Sequence, residues 1–301
     1  MAKSSYFFGQ TVLGQVLKLI PVSLIQKTAK KTGSDFAVKK FDTKNHLYTM
    51  CYAVLGDITG LRHISDGLVA MGGSLSQIGI SYVPPKSTLS DSNKNRPSNV
   101  FAQLYEGLYE YYYPFLSDRA VPEPLLAKAY AIDSTTMSLF KAILKASGRK
   151  SKDGTSVGGI KSHIQISLID ELPRNVKHTS AATHDHTFLK DLELNAHDIA
   201  IFDKAYVDYQ QYALWSRENI YFVTREKDNA KSTLILERDL PNDKDFEILL
   251  DEEVMKRYKD ANKQDHQLLL RRTVVWSEKH QDIPKEFRFA NKQTLNPTVL
   301  Y

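Results

Sequence analysis

Two apolar stretches of the sequence each end on a single aspartate, and this pattern restricts the possible folds more than any other feature. The stretch AYAI leads to Asp133, and the stretch IAIF leads to Asp203, seventy residues later. Short apolar runs predict buried strands, and ligand chemistry in open α/β sheets gathers at the carboxyl ends of the strands. We therefore predict an α/β sheet that brings Asp133 and Asp203 together.

Two neighbouring carboxylates repel each other unless a proton or a cation lies between them. Carboxylate oxygens are the ligands that Mg²⁺ and Mn²⁺ prefer, and two such ions can stabilise both oxygens of an in-line phosphoryl displacement. The pair Asp133 and Asp203 therefore indicates a Mg²⁺ or Mn²⁺ site. The alternative for Asp133 is a structural role, because Asp often opens a turn or caps a helix.

The first part of the chain, residues 1–122, predicts an all-α domain. The predicted helices cover residues 12–20, 47–55, about 58–73, about 87–96 and 99–113. The two short helices on either side of Pro84 and Pro85 resemble a helix-turn-helix that reads a DNA groove. The tyrosines of the last helix indicate core and interface rather than a platform for stacked bases.

The second part, residues 123–301, predicts an α/β domain with a β-rich insertion from about residue 228. Residues 164–168 alternate apolar and polar side chains, as in a half-buried strand. A helix is expected before the strand that ends at Asp203, and another follows over about 206–219. The candidate strands of the insertion are STLILE, DFEILL, QLLLRRTVVW and EFRFA.

Charge is distributed unevenly along the chain. The net charge is +5, but residues 1–100 hold ten Lys and two Arg against five Asp and no Glu. A basic segment favours a polyanionic partner, although a solvated lysine-rich surface is the alternative. The single cysteine, Cys51, excludes a disulfide framework and a cysteine-based zinc site. No stretch is long enough to span a membrane, and the first residues predict an amphipathic helix rather than a signal peptide, so we expect a cytoplasmic protein with no membrane partner.

Five stretches of the sequence resemble, in order, segments of IS4-type insertion-sequence transposases of the DDE class. They are PPKSTLSDSNKNRP, AIDSTTMSL, GGIKSHIQISLID, IFDKAYVDY and YFVTREKDNA. The resemblance implies a ribonuclease-H-like mixed sheet with a β insertion, preceded by an all-α DNA-binding domain. It also implies a homodimer that binds terminal inverted repeats and target DNA, associates with the nucleoid, and performs metal-dependent phosphodiester hydrolysis and strand transfer.

By this resemblance, Asp133 falls on the first catalytic acid and Asp203 on the second, and the two residues would bind two metal ions. Ser134, Thr135 and Thr136 either brace the Asp133 carboxylate or only shape a turn. The residues expected to contact DNA are Lys161, His163, Arg225 and Lys227 in the catalytic domain, and Lys86, Ser87, Thr88, Lys94 and Arg96 in the helical domain. A solvated strand edge is the alternative for the four residues of the catalytic domain.

The third acid of the family, a Glu on a helix after the β insertion, has no counterpart in this sequence. The family run is Tyr, two residues, Arg, three residues, Glu, six residues and Lys, which places the later side chains on one helix face. The stretch EFRFANKQTLNPTVLY resembles the lead-in to that helix and ends at Tyr301. We therefore expect a chain truncated before its last catalytic helix, which binds DNA but does not cleave it efficiently.

Two other functions stay open. A DNA-binding regulator would occupy the terminal repeats and inhibit an intact transposase. A metallohydrolase would use the histidine-rich stretch around Asp185, but zinc motifs usually space their histidines by about three to five residues or use cysteine pairs. The residues of that stretch are His178, His184, Asp185, His186 and His197.

Overall fold

A computed structural model of the 301-residue chain describes residues 11–116, 128–139, 148–150, 156–227, 229–240, 247–276 and 286–291. The chain forms two compact units, Met1–Arg119 and Ala120–Tyr301, which we call the helical unit and the sheet unit. The end of the predicted lead-in to a last helix, residues 292–301, lies outside the described residues.

The helical unit consists of amphipathic helices around one apolar core. Its helices are α1 Val12–Lys18, α2 Val22–Thr32, α3 Thr43–Leu55, α4 Leu61–Met71, a 3-10 helix Gly72–Ile78, α5 Lys86–Asn95 and α6 Asn99–Leu116. Side-chain caps begin two of them: Thr11 accepts a hydrogen bond from the Gly14 N–H, and Asp42 accepts one from the Asn45 N–H. The largest buried side chains are Leu17, Ile25, Leu68, Ile78, Leu89 and Leu104. Within the described ranges, none of these helices is both long and apolar enough to cross a lipid bilayer.

The two helices predicted as a helix-turn-helix are α4 and α5. They are separated by residues 72–85, most of which belong to the 3-10 helix and an extended segment. A helix-turn-helix joins its helices by a turn of about three or four residues, so this part of the prediction is wrong. Leu89 is the one residue of α5 that is buried, and the helix therefore presents its polar side chains to solvent.

The sheet unit contains a ten-stranded mixed sheet in the described part of the chain. Its strands are β1 Ala129–Leu139, β2 Gly148–Lys150, β3 Ser156–Ser167, β4 Pro173–Ser180, β5 Ile199–Phe202, β6 Tyr221–Arg225, β7 Thr233–Glu237, β8 Glu247–Lys259, β9 Asp265–Trp276 and β10 Glu286–Asn291. The helices are α7 Tyr209–Arg217 and two 3-10 helices, Asp185–Asp191 and Lys204–Tyr206.

The strand order is β2-β3-β1-β5-β6-β10-β9-β8-β7, and β4 pairs with β3. Strands β1, β5 and β6 are parallel, whereas β3 and β4 are antiparallel to their neighbours. These five strands form a mixed α/β sheet, as the sequence predicts. The predicted β-rich insertion forms the antiparallel strands β7–β10, and β10 returns to pair with β6.

An aromatic cluster packs α7 onto the parallel strands. Tyr212 of α7 stacks on Phe222 of β6 with 4.4 Å between ring centroids, and Trp215 lies 6.1 Å from Phe202 of β5. All four side chains are at most 5% exposed. Burial of each such side chain is worth roughly 1.5–3 kcal/mol, so this contact holds the carboxyl ends of β5 and β6 in place.

Two local predictions for this unit are wrong. The helix expected before the Asp203 strand is only the 3-10 helix Asp185–Asp191. The half-buried strand β3 is present, but its polar residues His163 and Gln165 are buried, while Ile164 and Ile166 are only partly buried. The 3-10 helix covers the polar side of β3, because Phe188 stacks on His163 at 5.0 Å between ring centroids.

Candidate active site

The two predicted acids occupy neighbouring positions on adjacent parallel strands. Ile132 of β1 pairs with Phe202 of β5, and Phe202 pairs with Thr224 of β6. Asp133 directly follows Ile132, and Asp203 directly follows Phe202. Because paired strands lie about 4.8 Å apart, the backbones that carry the two carboxylates are close. The sheet thus brings together two acids that are distant in sequence.

Each of these carboxylates is oriented by a backbone N–H close to it in sequence. Asp133 Oδ1 accepts a hydrogen bond from the Ser134 N–H at 2.7 Å, and Asp203 Oδ1 accepts one from the Ala205 N–H at 2.9 Å. Both side chains are exposed, and within the described residues neither Oδ2 accepts a hydrogen bond. Two outward-facing carboxylates with all-oxygen donors fit Mg²⁺ or Mn²⁺. No group of three or more His, Cys, Asp or Glu residues suited to a metal occurs in the described ranges.

Tyr206 lies beneath this pair. Burial raises the pKa of its hydroxyl, hydrogen bonding with Ser134 opposes the rise, and the charges of Asp185, Asp133 and Asp203 add to it. The hydroxyl is fully buried and has no hydrogen bond of regular geometry in the described chain, although Ser134 approaches it. The phenol therefore stays protonated at neutral pH, and three carboxylates act electrostatically on it.

Asp185 links Ser134, the neighbour of Asp133 on β1, to the buried Lys161. The Ser134 hydroxyl donates to Asp185 Oδ1 at 2.8 Å, and Lys161 Nζ lies 3.0 Å from the same oxygen. Lys161 Nζ also donates to the Thr183 carbonyl at 3.1 Å. Burial alone would raise the pKa of Asp185, but hydrogen bonds from Lys161 and Ser134 outweigh it and the pKa is lowered. Asp185 is therefore ionised and its charge is balanced.

His163 completes this buried network. Its Nε2 lies 2.9 Å from Thr179 Oγ1, and its Nδ1 lies 3.8 Å from Asp185 Oδ1. Burial lowers the pKa of His163, against a smaller opposing effect of Asp185, so the ring is neutral at pH 7. Lys161 and His163 were predicted to contact DNA phosphates, but they are 8% and 0% exposed. We therefore assign them a structural role beside the acid pair.

Sequence models of two protein families match the chain. The model described as "Transposase DDE domain" matches residues 125–296, more than half of the chain. The chain belongs to the DDE transposase family. A domain of unknown function, DUF4372, matches residues 8–81, which cover α1 to α4. Helix α5 lies outside both matched ranges.

The chain is also similar to one named relative and to one solved structure. A protein of Sinorhizobium fredii (strain NBRC 101917 / NGR234), named "Putative transposase y4zB", is 28% identical over 157 residues. That match covers 52% of this chain and 41% of the relative, so the chain spans less than half of the relative's length. A cryo-EM structure of a piggyBac transposase synaptic complex with hairpin DNA has a TM-score of 0.35 and 11% identity, covering 95% of this chain and 60% of that one.

The other two DDE-domain residues predicted to contact DNA, Arg225 and Lys227, lie at the end of β6 and just after it. Arg225 follows Thr224 as Asp203 follows Phe202, so it occupies the next position along the same edge of the sheet. Arg225 and Lys227 are both exposed. They stay predicted DNA contacts.

The hydroxyl residues after Asp133 do not form a turn. β1 continues to Leu139, and Ser134, Thr135 and Thr136 pair with β3, so the prediction that the strand ends at Asp133 is wrong. The backbone of Ser134 orients Asp133, and its side chain binds Asp185. The prediction that this stretch braces Asp133 thus stands for Ser134, whereas the turn alternative is wrong.

In the helical unit, four of the five predicted DNA contacts lie on α5. Lys86, Ser87 and Lys94 are exposed, and Thr88 is half-buried. Arg96, which follows α5, is 9% exposed, and its guanidinium donates to backbone carbonyls and to a histidine. Its N–H groups are hydrogen-bonded within the helical unit, so we remove Arg96 from the predicted DNA contacts.

The histidine-rich stretch does not form a metal cluster among the described residues. The rings of His184 and His186 stack at 5.6 Å, and His197 lies 3.0 Å from the Tyr221 hydroxyl. Asp185, from the same stretch, is held by Lys161 and Ser134. Sequence reasoning missed this role. The available signal was Lys161 itself, because a lysine on the inward face of a strand needs an acid nearby.

Proposed function

We propose that this chain is an IS4-type DNA transposase whose Asp133 and Asp203 bind Mg²⁺ or Mn²⁺ for phosphodiester chemistry. The strand register that puts Asp133 and Asp203 at neighbouring positions supports this proposal most, and both residues lie within the range that the DDE-domain model matches. The bound ions would supply Lewis-acid activation of an attacking hydroxyl and neutralise charge on the phosphate. The five-stranded mixed sheet is compatible with a ribonuclease-H-like fold.

The chain's own residues would orient the acids and bind the DNA backbone. The Ser134 and Ala205 N–H groups fix one oxygen of each carboxylate, which leaves the other oxygen for a cation. Arg225 and Lys227 would bind phosphates beside this site. The exposed polar face of α5 would contact DNA from the helical unit. Binding to terminal inverted repeats, binding to target DNA and assembly as a homodimer belong to this proposal.

Titration of the purified chain with Mn²⁺, followed by calorimetry or by the EPR signal of free Mn²⁺, tests the metal site. Asp133→Asn and Asp203→Asn should each weaken Mn²⁺ binding at least about tenfold, because each removes one anionic ligand. Asp265→Asn provides a matched control, since Asp265 is an exposed acid of the same unit. Equal Mn²⁺ affinity in all four proteins would overturn the proposed metal site.

A cleavage assay on end-labelled element DNA separates transposase from regulator. We expect the chain to bind the DNA with an affinity that falls as salt rises. Metal-dependent strand cleavage at element ends would support the transposase and overturn the expectation of inefficient cleavage from the sequence. Binding to element ends but not to random DNA, with no cleavage, would favour the regulator.

A further inference from the structure

The loop between α2 and α3, residues 33–41, presents an apolar side chain to solvent. Phe36 is 89% exposed, the highest value among the exposed large apolar residues in the described part of the chain. The two residues after it are also exposed, at Ala37 and Val38. We call residues 33–41 the Phe36 loop. A single exposed Phe is not unusual in itself, so its meaning depends on how the loop is built.

The base of the Phe36 loop is fixed by side-chain hydrogen bonds. Asp35 Oδ1 accepts from both the N–H and the hydroxyl of Thr43, each at 2.7 Å, and the Ser34 and Thr43 hydroxyls lie 2.6 Å apart. Arg96 Nη2 donates to the Phe41 carbonyl at 2.7 Å, and its Nε donates to the Ser34 carbonyl at 3.3 Å. Both ends of the loop are therefore held by groups that are largely buried.

The tip of the loop has a strained backbone. Ala37 has φ of 59°, in the left-handed region that residues with a Cβ rarely adopt, and Gly33 enters the loop with φ of 66°. Strain of this kind persists where the surroundings over-determine the conformation, and it occurs often at binding sites. Such a loop presents Phe36 in a defined position, with little ordering left to occur on binding.

The chain on either side of Phe36 is basic. The exposed lysines on α2 and in the loop are Lys27, Lys30, Lys31, Lys39 and Lys40. The two acids nearby in sequence are already engaged, Asp35 by Thr43 and Asp42 by Asn45 at the start of α3. Exposed lysines that flank one exposed apolar residue in sequence match a polyanion that also offers an apolar surface, which describes the phosphates and base steps of DNA.

Arg96 also connects this loop to α5. It directly follows α5, and its Nη1 lies 2.6 Å from His46 Nδ1, whose ring binds Asn93 of α5 through Nε2 at 2.7 Å. The loop and the exposed lysines of α5 therefore belong to one fixed arrangement within the helical unit.

We propose that the Phe36 loop is a contact for double-stranded DNA, in which Phe36 inserts against a base step while the flanking lysines bind phosphates. Apolar side chains of this kind enter the minor groove of duplex DNA and bend it. The inference rests on the proposed DNA binding of the chain and adds the element and the mode of contact. Lys86 and Lys94 on α5, the helix that His46 and Arg96 connect to the loop, would bind further phosphates.

Fluorescence anisotropy with a labelled random-sequence duplex of about 30 bp, roughly three helical turns, measures this contact. Phe36→Ala should weaken binding about tenfold, the scale of losing one aromatic contact with bases, without changing the salt dependence. The double variant Lys39→Gln/Lys40→Gln should reduce the slope of log K against log salt by about 2, because each phosphate contact contributes close to one. Phe36→Trp should retain binding. Phe115→Ala is the matched control, since Phe115 is a second exposed Phe of the helical unit, at 72%.

A 2-aminopurine base in the duplex supplies a second readout, because its fluorescence rises when a neighbouring step unstacks. Wild type and Phe36→Trp should raise this signal, whereas Phe36→Ala should not. If wild type binds the duplex and Phe36→Ala matches it in both measurements, the inference is wrong while the proposed DNA binding stands. If wild type binds neither this duplex nor element-end DNA, the proposed function itself fails; if it binds element-end DNA alone, the same comparison of variants is made on that duplex. Binding to phosphatidylserine vesicles without binding to DNA would likewise overturn the inference.

Discussion

Two acidic regions of the sheet unit differ in the burial and the partners of their carboxylates. On β8, Asp251, Glu252 and Glu253 are at most 6% exposed, and each contacts an arginine. Asp133 within β1 and Asp203 just after β5 are exposed, and no ion pair to a lysine or arginine forms on them in the described chain. The acids of β8 already have their counter-charges, whereas the Asp133–Asp203 pair leaves room for a cation.

The local architecture explains the difference. Asp251 makes a two-pronged contact with Arg271 of β9, with Nε–Oδ1 at 2.8 Å and Nη2–Oδ2 at 2.5 Å. Glu252 binds Arg272, which lies directly opposite it in the β8–β9 register. The antiparallel strand β9 thus supplies Asp251 and Glu252 with arginines, and Arg238, just after β7, binds Glu253. The parallel strands β1 and β5 instead place acid beside acid, which favours an added cation.

Removal of one partner from the buried pair should have the largest effect. Asp251→Ala leaves Arg271 buried without its main counter-charge and should lower the free energy of unfolding by about 3–5 kcal/mol. Denaturant unfolding followed by tryptophan fluorescence reports the sheet unit alone, because both tryptophans, Trp215 and Trp276, lie in it.

The double variant Asp251→Leu/Arg271→Met controls for the loss of packing, and it should recover most of that stability, since well-packed apolar residues often replace a buried ion pair at little cost. A loss below about 1 kcal/mol in Asp251→Ala would mean that the β8 acids are not structural.

The helical unit contains a buried base, His46, whose burial should also affect stability. Burial lowers the pKa of His46 to about 4, hydrogen bonding with Asn93 opposes the shift, and Arg96 lowers it further. The unfolded chain then binds a proton near pH 6.5 that the folded unit does not bind until about pH 4. Stability should therefore fall from pH 6.5 down to pH 4 by at most about 3 kcal/mol, and level off below that range.

The reactivity of Cys51 towards a thiol reagent reports this unit, because it is the single cysteine and lies in α3. Urea titrations at several pH values should show the midpoint of Cys51 labelling fall between pH 6.5 and pH 4 in wild type. His46→Gln should flatten this pH dependence. If the labelling midpoint depends on pH in the same way in His46→Gln, other titrating groups cause this dependence.

The Asp185 network lies between the two extremes, because it is buried but adjoins the exposed pair. Asp185→Asn keeps a hydrogen-bond acceptor for Ser134 and removes the counter-charge of Lys161. It should cost about 1–3 kcal/mol of unfolding free energy in the fluorescence assay, the range for a hydrogen bond to a charged group. Asp185→Asn/Lys161→Met should be closer to wild type. If Asp185→Asn is as stable as wild type, the buried Lys161 does not need the charge of Asp185 for stability.

The sequence predicts the features that local pattern determines. Apolar runs located the first part of β1 and all of β5, and the acid that follows each run located Asp133 and Asp203 at neighbouring positions of the sheet. The faces of β3 and the burial of Lys161 and Arg96 depend on partners far along the chain. The acceptor of Ser134 is fifty-one residues away, and Arg96 contacts a carbonyl sixty-two residues away. Periodicity contains no information about such pairs, so residues that resembled surface cations are in the interior.

The smallest change in stability is expected at the acids that matter most for the proposed chemistry. Asp133→Asn and Asp203→Asn should change the free energy of unfolding by less than about 0.5 kcal/mol without divalent cations, because both side chains are exposed. The sign should be slightly stabilising, since each variant relieves the repulsion between neighbouring carboxylates. Addition of Mn²⁺ should stabilise wild type by mass action and leave the variants nearly unchanged. A large loss of stability without metal would place this pair with the structural acids of β8.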